Sequence, residues 1–214
     1  MRRMAVLLSL VVASTAGAQG SFEGVVTYQM GNKGDTWQYS SKGSKVRMDM
    51  SNPSMPGGVS AIMDMSAMTM TILMNQQHMY MTQAIPQTAT LPDSIHGSVT
   101  KTGSEVVAGV PCDDYVGTDA KGAKSGTVCL AHGMGNFAQF GASNPLMRQY
   151  SSRVSGFSGA MSGGGFPLKI VKEDGQTTMI ATKVEKKSLD ASLFAVPAGY
   201  TQMQMPAGMP APQH

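Results

Sequence analysis

Residues 63–81 read MDMSAMTMTILMNQQHMYM, and seven of the nineteen are methionine. Thioethers at this density serve two kinds of chemistry. With an imidazole they ligate Cu(I), and His78 stands inside the run. Without a metal, these flexible, polarizable side chains make an apolar surface that adapts to varied partners. The bland alternative is core packing, although well-specified cores favour Leu, Ile and Val.

Spacing says where the sulfurs go. Side chains alternate along a strand. With Ser66-Ala67 as a two-residue turn, Met65 faces Met68, Met63 faces Met70, Ala61 faces Ile72 and Val59 faces Met74, all on one side. Ser60, Ile62, Asp64, Thr69, Thr71 and Leu73 fall on the other, which reads as the wet side. The next turn decides the copper question. A two-residue turn at Gln76-Gln77, the commoner kind in hairpins, sets Met79 against Met74 and Met81 against Ile72 and sends His78 to the wet side. A three-residue turn, Asn75-Gln76-Gln77, sets His78 against Met74 instead. The alternative copper set is therefore His78, Met74 and Met79 with Met203, Met205 and His214 of the tail; the commoner turn makes it the weaker reading.

Catalytic patterns are thin. Ser98-Val99-Thr100-Lys101 fits Ser-x-x-Lys, but it lies in a strand pattern that cannot supply that motif's helical geometry. Asp113 and Asp114 are adjacent on a strand and point to opposite faces. Gly133-Met134-Gly135 lacks the rest of a phosphate loop, and His96 and His132 read as loop residues. The expectation is a protein that is not an enzyme and needs no cofactor.

The elements that position the methionines read as short strands with turn signals between them. Strands are expected near 22–30, 36–41, 45–50, 59–65, 68–74 and 78–82, as a meander, then near 98–108, 113–119, 126–130, 166–173 and 178–185. Residues 83–97 form a connector, and 136–155 is the one helical region, with Phe137 and Phe140 three apart and Pro145 in a first turn. The fold class is mainly β. About eleven antiparallel strands should curl into a half-open barrel, with 136–155 as a short helical lid. Tyr28, Trp37, Tyr39, Met48, Met50, Met63, Met65, Met68, Met70 and Ile72 would line its concave face.

Residues 1–18 read as a signal peptide. Arg2 and Arg3 precede an apolar run that is too short to span a bilayer, and Ala16-Gly17-Ala18 supplies a cleavage site. The mature chain is then one domain over 19–200 with a Met- and Pro-rich disordered tail over 201–214, without a transmembrane segment. Removing the two arginines leaves 14 basic against 13 acidic residues, too balanced for nucleic-acid binding. Export makes a disulfide the default for Cys112 and Cys129. A hairpin centred between Ala120 and Lys121 puts the two cysteines directly opposite each other.

Several segments together look familiar: Phe22-Glu23-Gly24-Val25-Val26-Thr27-Tyr28, Lys45-Val46-Arg47-Met48-Asp49, Val107 to Cys112 with Val128-Cys129-Leu130, Phe166-Pro167-Leu168, and Ser192 to Tyr200. They resemble the exported bacterial family called domain of unknown function 4412, from about 22 to 200. The closing Leu-Phe-x-Val-Pro-x-Gly-Tyr phrase is also similar to the ends of Lol-type lipoprotein-carrier domains. That resemblance implies a half-open β-barrel with a helical lid that shields acyl chains, and it brings no catalytic residues. The function expected is non-catalytic binding or carriage of a lipid, acyl chain or other hydrophobic small molecule, in the periplasm or secreted, with an envelope protein as a further partner. The alternatives are a periplasmic copper-binding protein and a structural envelope protein.

Overall fold

The structure is a computed structural model. It describes residues 22–31, 34–53, 55–85, 98–118, 121–135, 137, 157 and 164–203. The expected signal peptide, most of the connector, the lid apart from Phe137, and the tail from residue 204, with Met205 and His214, lie outside the described residues.

The chain forms β1 (Gly24–Met30), β2 (Asp35–Lys42), β3 (Lys45–Asn52), β4 (Met55–Asp64), β5 (Thr69–Met74), β6 (Met79–Ala84), β7 (Val99–Val107), β8 (Val110–Thr118), β9 (Lys124–Ala131), β10 (Phe166–Lys172), β11 (Thr177–Lys186) and β12 (Thr201–Gln202). All join one sheet in the order β12-β6-β5-β4-β3-β2-β1-β11-β10-β9-β8-β7. The fold is mainly β and antiparallel, as expected, with one parallel pair where β12 meets β6. The sheet is open, with β12 and β7 as its edges, and does not close into a barrel. β12 departs from expectation: its two residues carry no periodicity, and the sequence pattern puts them in the tail.

From β2 to β6 the turns are tight, so each strand lies beside its predecessor and side chains fall into rows across the sheet. One row runs Trp37, Met50, Val59, Met74, Met79. The next runs Tyr39, Met48, Ala61, Ile72, Met81, and a third Ser41, Val46, Met63, Met70, Gln83. Both expected methionine registers hold, with Met63 opposite Met70 and Met74 opposite Met79. The turns are wider than two residues, because the ladders stop at Asp64 with Thr69 and at Met74 with Met79. Met68 and His78 close them in the left-handed region, each at φ 51°. The Asp64 carboxylate steadies the first by accepting from the Ser66 and Ala67 amides at 3.0 and 3.1 Å.

The face expected to be wet is dry over half the sheet. Leu73 (0% exposed), Ile62 and Val25 are buried there beneath Leu189 and Phe194. The chain after β11 crosses this back face as a strap through a 3₁₀ turn, Ala191–Phe194, whose N-cap Asp190 accepts from the Ser192 amide. Leu193, Val196 and Tyr200 of the closing phrase pack on the same cluster. Polar anchors hold it. Lys42 donates to the Leu189 carbonyl (2.5 Å) and to Glu23 (2.9 Å), and Glu23 accepts from the Leu189 amide. Arg47 donates to the Leu193 carbonyl (3.0 Å) and to Asp49, and the Tyr200 hydroxyl donates to Asn75 (3.0 Å).

The disulfide is present, with Cys112 and Cys129 Cα atoms 5.4 Å apart. Its expected register is corrected. Asp114, not Cys112, pairs with Cys129, and Asp113 pairs with Leu130. A bulge between Gly117 and Thr118 and the pairing of Thr118 with Lys124 shift β9 by two residues. A two-residue slip keeps every side chain on its own face, so the cysteines still meet, diagonally.

Phe194→Ala empties a buried site under the strap and is expected to cost about 3–5 kcal/mol in denaturant melts. A loss below about 1 kcal/mol would show that the strap adds little. Thiol titration of the denatured, unreduced protein should find no free thiol, and the Cys112→Ser/Cys129→Ser pair should lose about 3 kcal/mol.

Candidate functional site

The ten residues expected to line a ligand face share one side of the sheet and one hydrophobic cluster, but at different depths. Tyr28, Trp37, Tyr39, Met48, Met63 and Met70 are buried in it. Met50, Met65, Met68 and Ile72 are half-buried and pack against it. Beyond them Met74, Met79 and Met81 are half-buried as well and lie outside that cluster. The face is thus a packed spine with a partly uncovered border. Tyr28 donates its hydroxyl to the Pro167 carbonyl at 2.9 Å, across β11, and burial, with Tyr39 adding to it, raises its pKa well above the ordinary phenol value. Burial pushes Tyr39 up to about 12. Its ring meets Phe166 edge-on at 5.0 Å and Phe137 at 6.0 Å. These rings fix the deep end of the face. Neither phenol is a ready acid or base near neutral pH.

Among the described residues, the copper set is not brought together. His78 is exposed, and its ring lies edge-on to Tyr200 at 5.4 Å, against the strap on the back face. Met74 and Met79 oppose each other on the methionine face. Met203 is tied to β6 through its amide, which donates to the Tyr80 carbonyl at 2.7 Å. The Ser-x-x-Lys match runs into β7, where Lys101 pairs with Asp113 at 2.8 Å.

Sequence reasoning missed a cleft of about 320 Å³ on the back face of the other half, lined by Thr102, Glu105, Asp114, Thr127, Cys129 and Lys169 among others. β7 folds back to touch β11, so Glu105 on β7 reaches Lys169 on β10 at 3.0 Å. Glu105, Asp114 and Cys129 bring ligand-type atoms within 4.8 Å of one another. The Cys129 sulfur is spent in the disulfide and offers no thiolate. The remaining pair of carboxylates is half-balanced by one ammonium. Burial, then the Glu105 charge, raises Asp114 above the ordinary carboxylate value. Its neighbour Asp113, on the opposite face, is lowered by the Lys101 hydrogen bond and also accepts from His132 at 3.2 Å. Alternation tells the two aspartates apart in the sequence. No local signal shows that β7 approaches β10.

An open antiparallel sheet with an apolar, methionine-rich face on one side and a C-terminal strap on the other defines the class. The chain belongs to the family described as domain of unknown function DUF4412, which matches over residues 22–200, the family its segments resemble. Among solved structures, an uncharacterized conserved protein from Thermus thermophilus is similar over 86% of this chain and 91% of its own, at 9% identity and a TM-score of 0.49. A MucB crystal structure is similar over 86% of this chain and 59% of its own, at 14% identity and a TM-score of 0.44. The MucA/MucB complex of Pseudomonas aeruginosa is similar over 83% of this chain and 56% of its own, at 14% identity and a TM-score of 0.43. The chain thus spans under two thirds of the MucB chains. No curated protein matches it. No helix among the described residues is long and apolar enough to cross a membrane.

The two aspartates predict opposite pH behaviour. Asp114, raised in the folded state, contributes stability that is complete below its unfolded pKa of about 3.9 and is lost as pH rises through the folded value. Asp113, lowered, contributes stability that is complete above about 3.9 and is lost as pH falls through its folded value. In denaturant melts across the acid range, Asp114→Asn should therefore gain on the wild type as pH rises, whereas Asp113→Asn should lose. The same trend in both variants would refute this account of the cleft.

Proposed function

We propose that this is a non-catalytic, exported binding or carrier protein that takes an acyl chain or another hydrophobic molecule on its methionine face. One observation carries the reading: the apolar rows continue past the packed spine. Met50, Met65, Met68 and Ile72 are half-buried, and Met74, Met79 and Met81, half-buried too, extend the same surface outward. Large apolar surface left uncovered on a folded chain usually marks a partner or ligand site. Unbranched thioethers suit a ligand of variable shape. In this reading the sheet curves around the ligand as a half-open barrel. The disulfide fits an oxidising compartment, the periplasm or the exterior. A carrier in the envelope also needs a protein that loads or unloads it.

The test separates spine from border. The wild type should take up a fluorescent fatty-acid probe. Met50→Glu and Met81→Glu, which put charge on the uncovered border, should weaken uptake by about tenfold or more, roughly 1.4 kcal/mol, at little cost in stability. Met63→Ala in the spine should cost about 2–5 kcal/mol of stability, and Met70→Trp about 1–3 kcal/mol through overpacking. A wild type that ignores the probe, or border charges without effect on uptake, would remove the carrier reading.

A further inference from the structure

We propose that the half-buried border methionines Met74, Met79 and Met81 are oxidation sites that gate the apolar face, a proposal that rests on the carrier reading above. The first observation is chemical. The chain has two cysteines, and both are consumed by the disulfide, so no free thiol competes for an oxidant. Thioether sulfur is then the most readily oxidised group the protein presents.

The second observation is the grading of exposure along continuous rows. Met48 and Met63 are 0% exposed and Met70 is 1% exposed. Met50, Met65 and Met68 are half-buried against that spine. Met74, Met79 and Met81 are half-buried too, but stand outside its packing. Met74 and Met79 oppose each other directly, and Met81 ends the adjacent row on β6. An oxidant arriving from solvent therefore meets the half-buried sulfurs of this border first. The sulfurs that hold the fold together come last.

The reaction with hypochlorous acid, a two-electron oxygen-transfer oxidant, is balanced within itself. The sulfur lone pair attacks the oxygen. The S–O bond forms as the O–Cl bond breaks, chloride leaves with the bonding pair, and the hydroxyl proton passes to water. Sulfur is oxidised by two electrons and chlorine is reduced by two. Each product sulfoxide turns a flexible apolar group into a polar, chiral one. On the border this converts apolar surface to polar surface while the spine stays intact. The face closes to hydrophobic ligands without unfolding, and a methionine sulfoxide reductase can reopen it.

The experiment treats the purified protein with limiting hypochlorous acid and locates each added oxygen by fragment-ion mass spectrometry. Sulfoxide should accumulate at Met74, Met79 and Met81 about tenfold ahead of Met48, Met63 and Met70. Uptake of the fluorescent fatty acid should fall at least about fivefold while the melting temperature stays within a few degrees. Met74→Leu/Met79→Leu/Met81→Leu, compared with its own unoxidised form, should lose less uptake than the wild type does. Oxidation that begins at Met48, Met63 or Met70, unfolding in step with oxidation, or equal losses in the two proteins would overturn the proposal. Absence of uptake by the unoxidised wild type would sink the carrier reading and the gate with it. The order of oxidation would still stand or fall on its masses.

Discussion

The strict alternation of side chains along paired strands is the constraint on which the rest depends. Between β2 and β6 the ladder shifts only at the outer end of β3, between Met50 and Asn52. Every second residue of five strands is therefore committed to one face. That is what gathers Trp37, Tyr39, Met48, Met63 and Met70 into a spine, and what carries Arg47, Asp49, Ser60 and Leu73 to the other side. A one-residue slip in any of these strands would exchange the two sets. The left-handed turn residues Met68 and His78 are tolerated because they fix the hairpins in register.

Both faces of a single sheet cannot be left uncovered when both carry apolar residues. The back face of β3 to β5 holds Ile62 and Leu73, and the strap exists to cover them. Its attachment is mostly polar and lies at the rim of the apolar contact. Exposed pairs such as Lys42 with Glu23, at 36% and 34% side-chain exposure, contribute little by themselves. Their role is positional. Lys42 and Arg47 each satisfy a strap carbonyl as well as a carboxylate, so backbone groups of a non-repetitive segment are paired rather than stranded. Ser60, 0% exposed, is tied to Asp49, Arg47 and Asn75, and Asn75 in turn accepts from Tyr200. The network runs from the strand interior to the end of the strap.

The strands and the two methionine registers were legible because they rest on local information: period-two alternation and short turns. The disulfide was legible for the same reason, but its register was not. The bulge at Gly117/Thr118 adds residues without a signature that alternation detects, and a shift of two leaves the faces unchanged. The strap was legible only as a family phrase. Leu193, Phe194, Val196 and Tyr200 have no strand or helix period, and their partners lie more than a hundred residues away on β1, β4, β5 and β6. The Glu105, Asp114, Cys129 and Lys169 cleft depends on β7 folding back toward β11, a property of global curvature that no window of sequence contains.

The two faces also differ in the residues that cover them. On the back face the covering segment belongs to the chain, so its partners are fixed, and the cluster uses Val25, Ile62, Leu73, Leu189 and Phe194, side chains with well-defined rotamers. On the front the spine combines Tyr28, Tyr39, Phe137 and Phe166 with Met48, Met63 and Met70, and methionine continues outward from it at Met74, Met79 and Met81. A surface with a permanent partner gains from shape-defined side chains. Methionine, flexible and unbranched, fills irregular space and repacks at small cost. Methionine thus serves the front both in the fully buried spine, at Met48, Met63 and Met70, and on the half-buried border, at Met74, Met79 and Met81, where the back face uses branched and aromatic side chains.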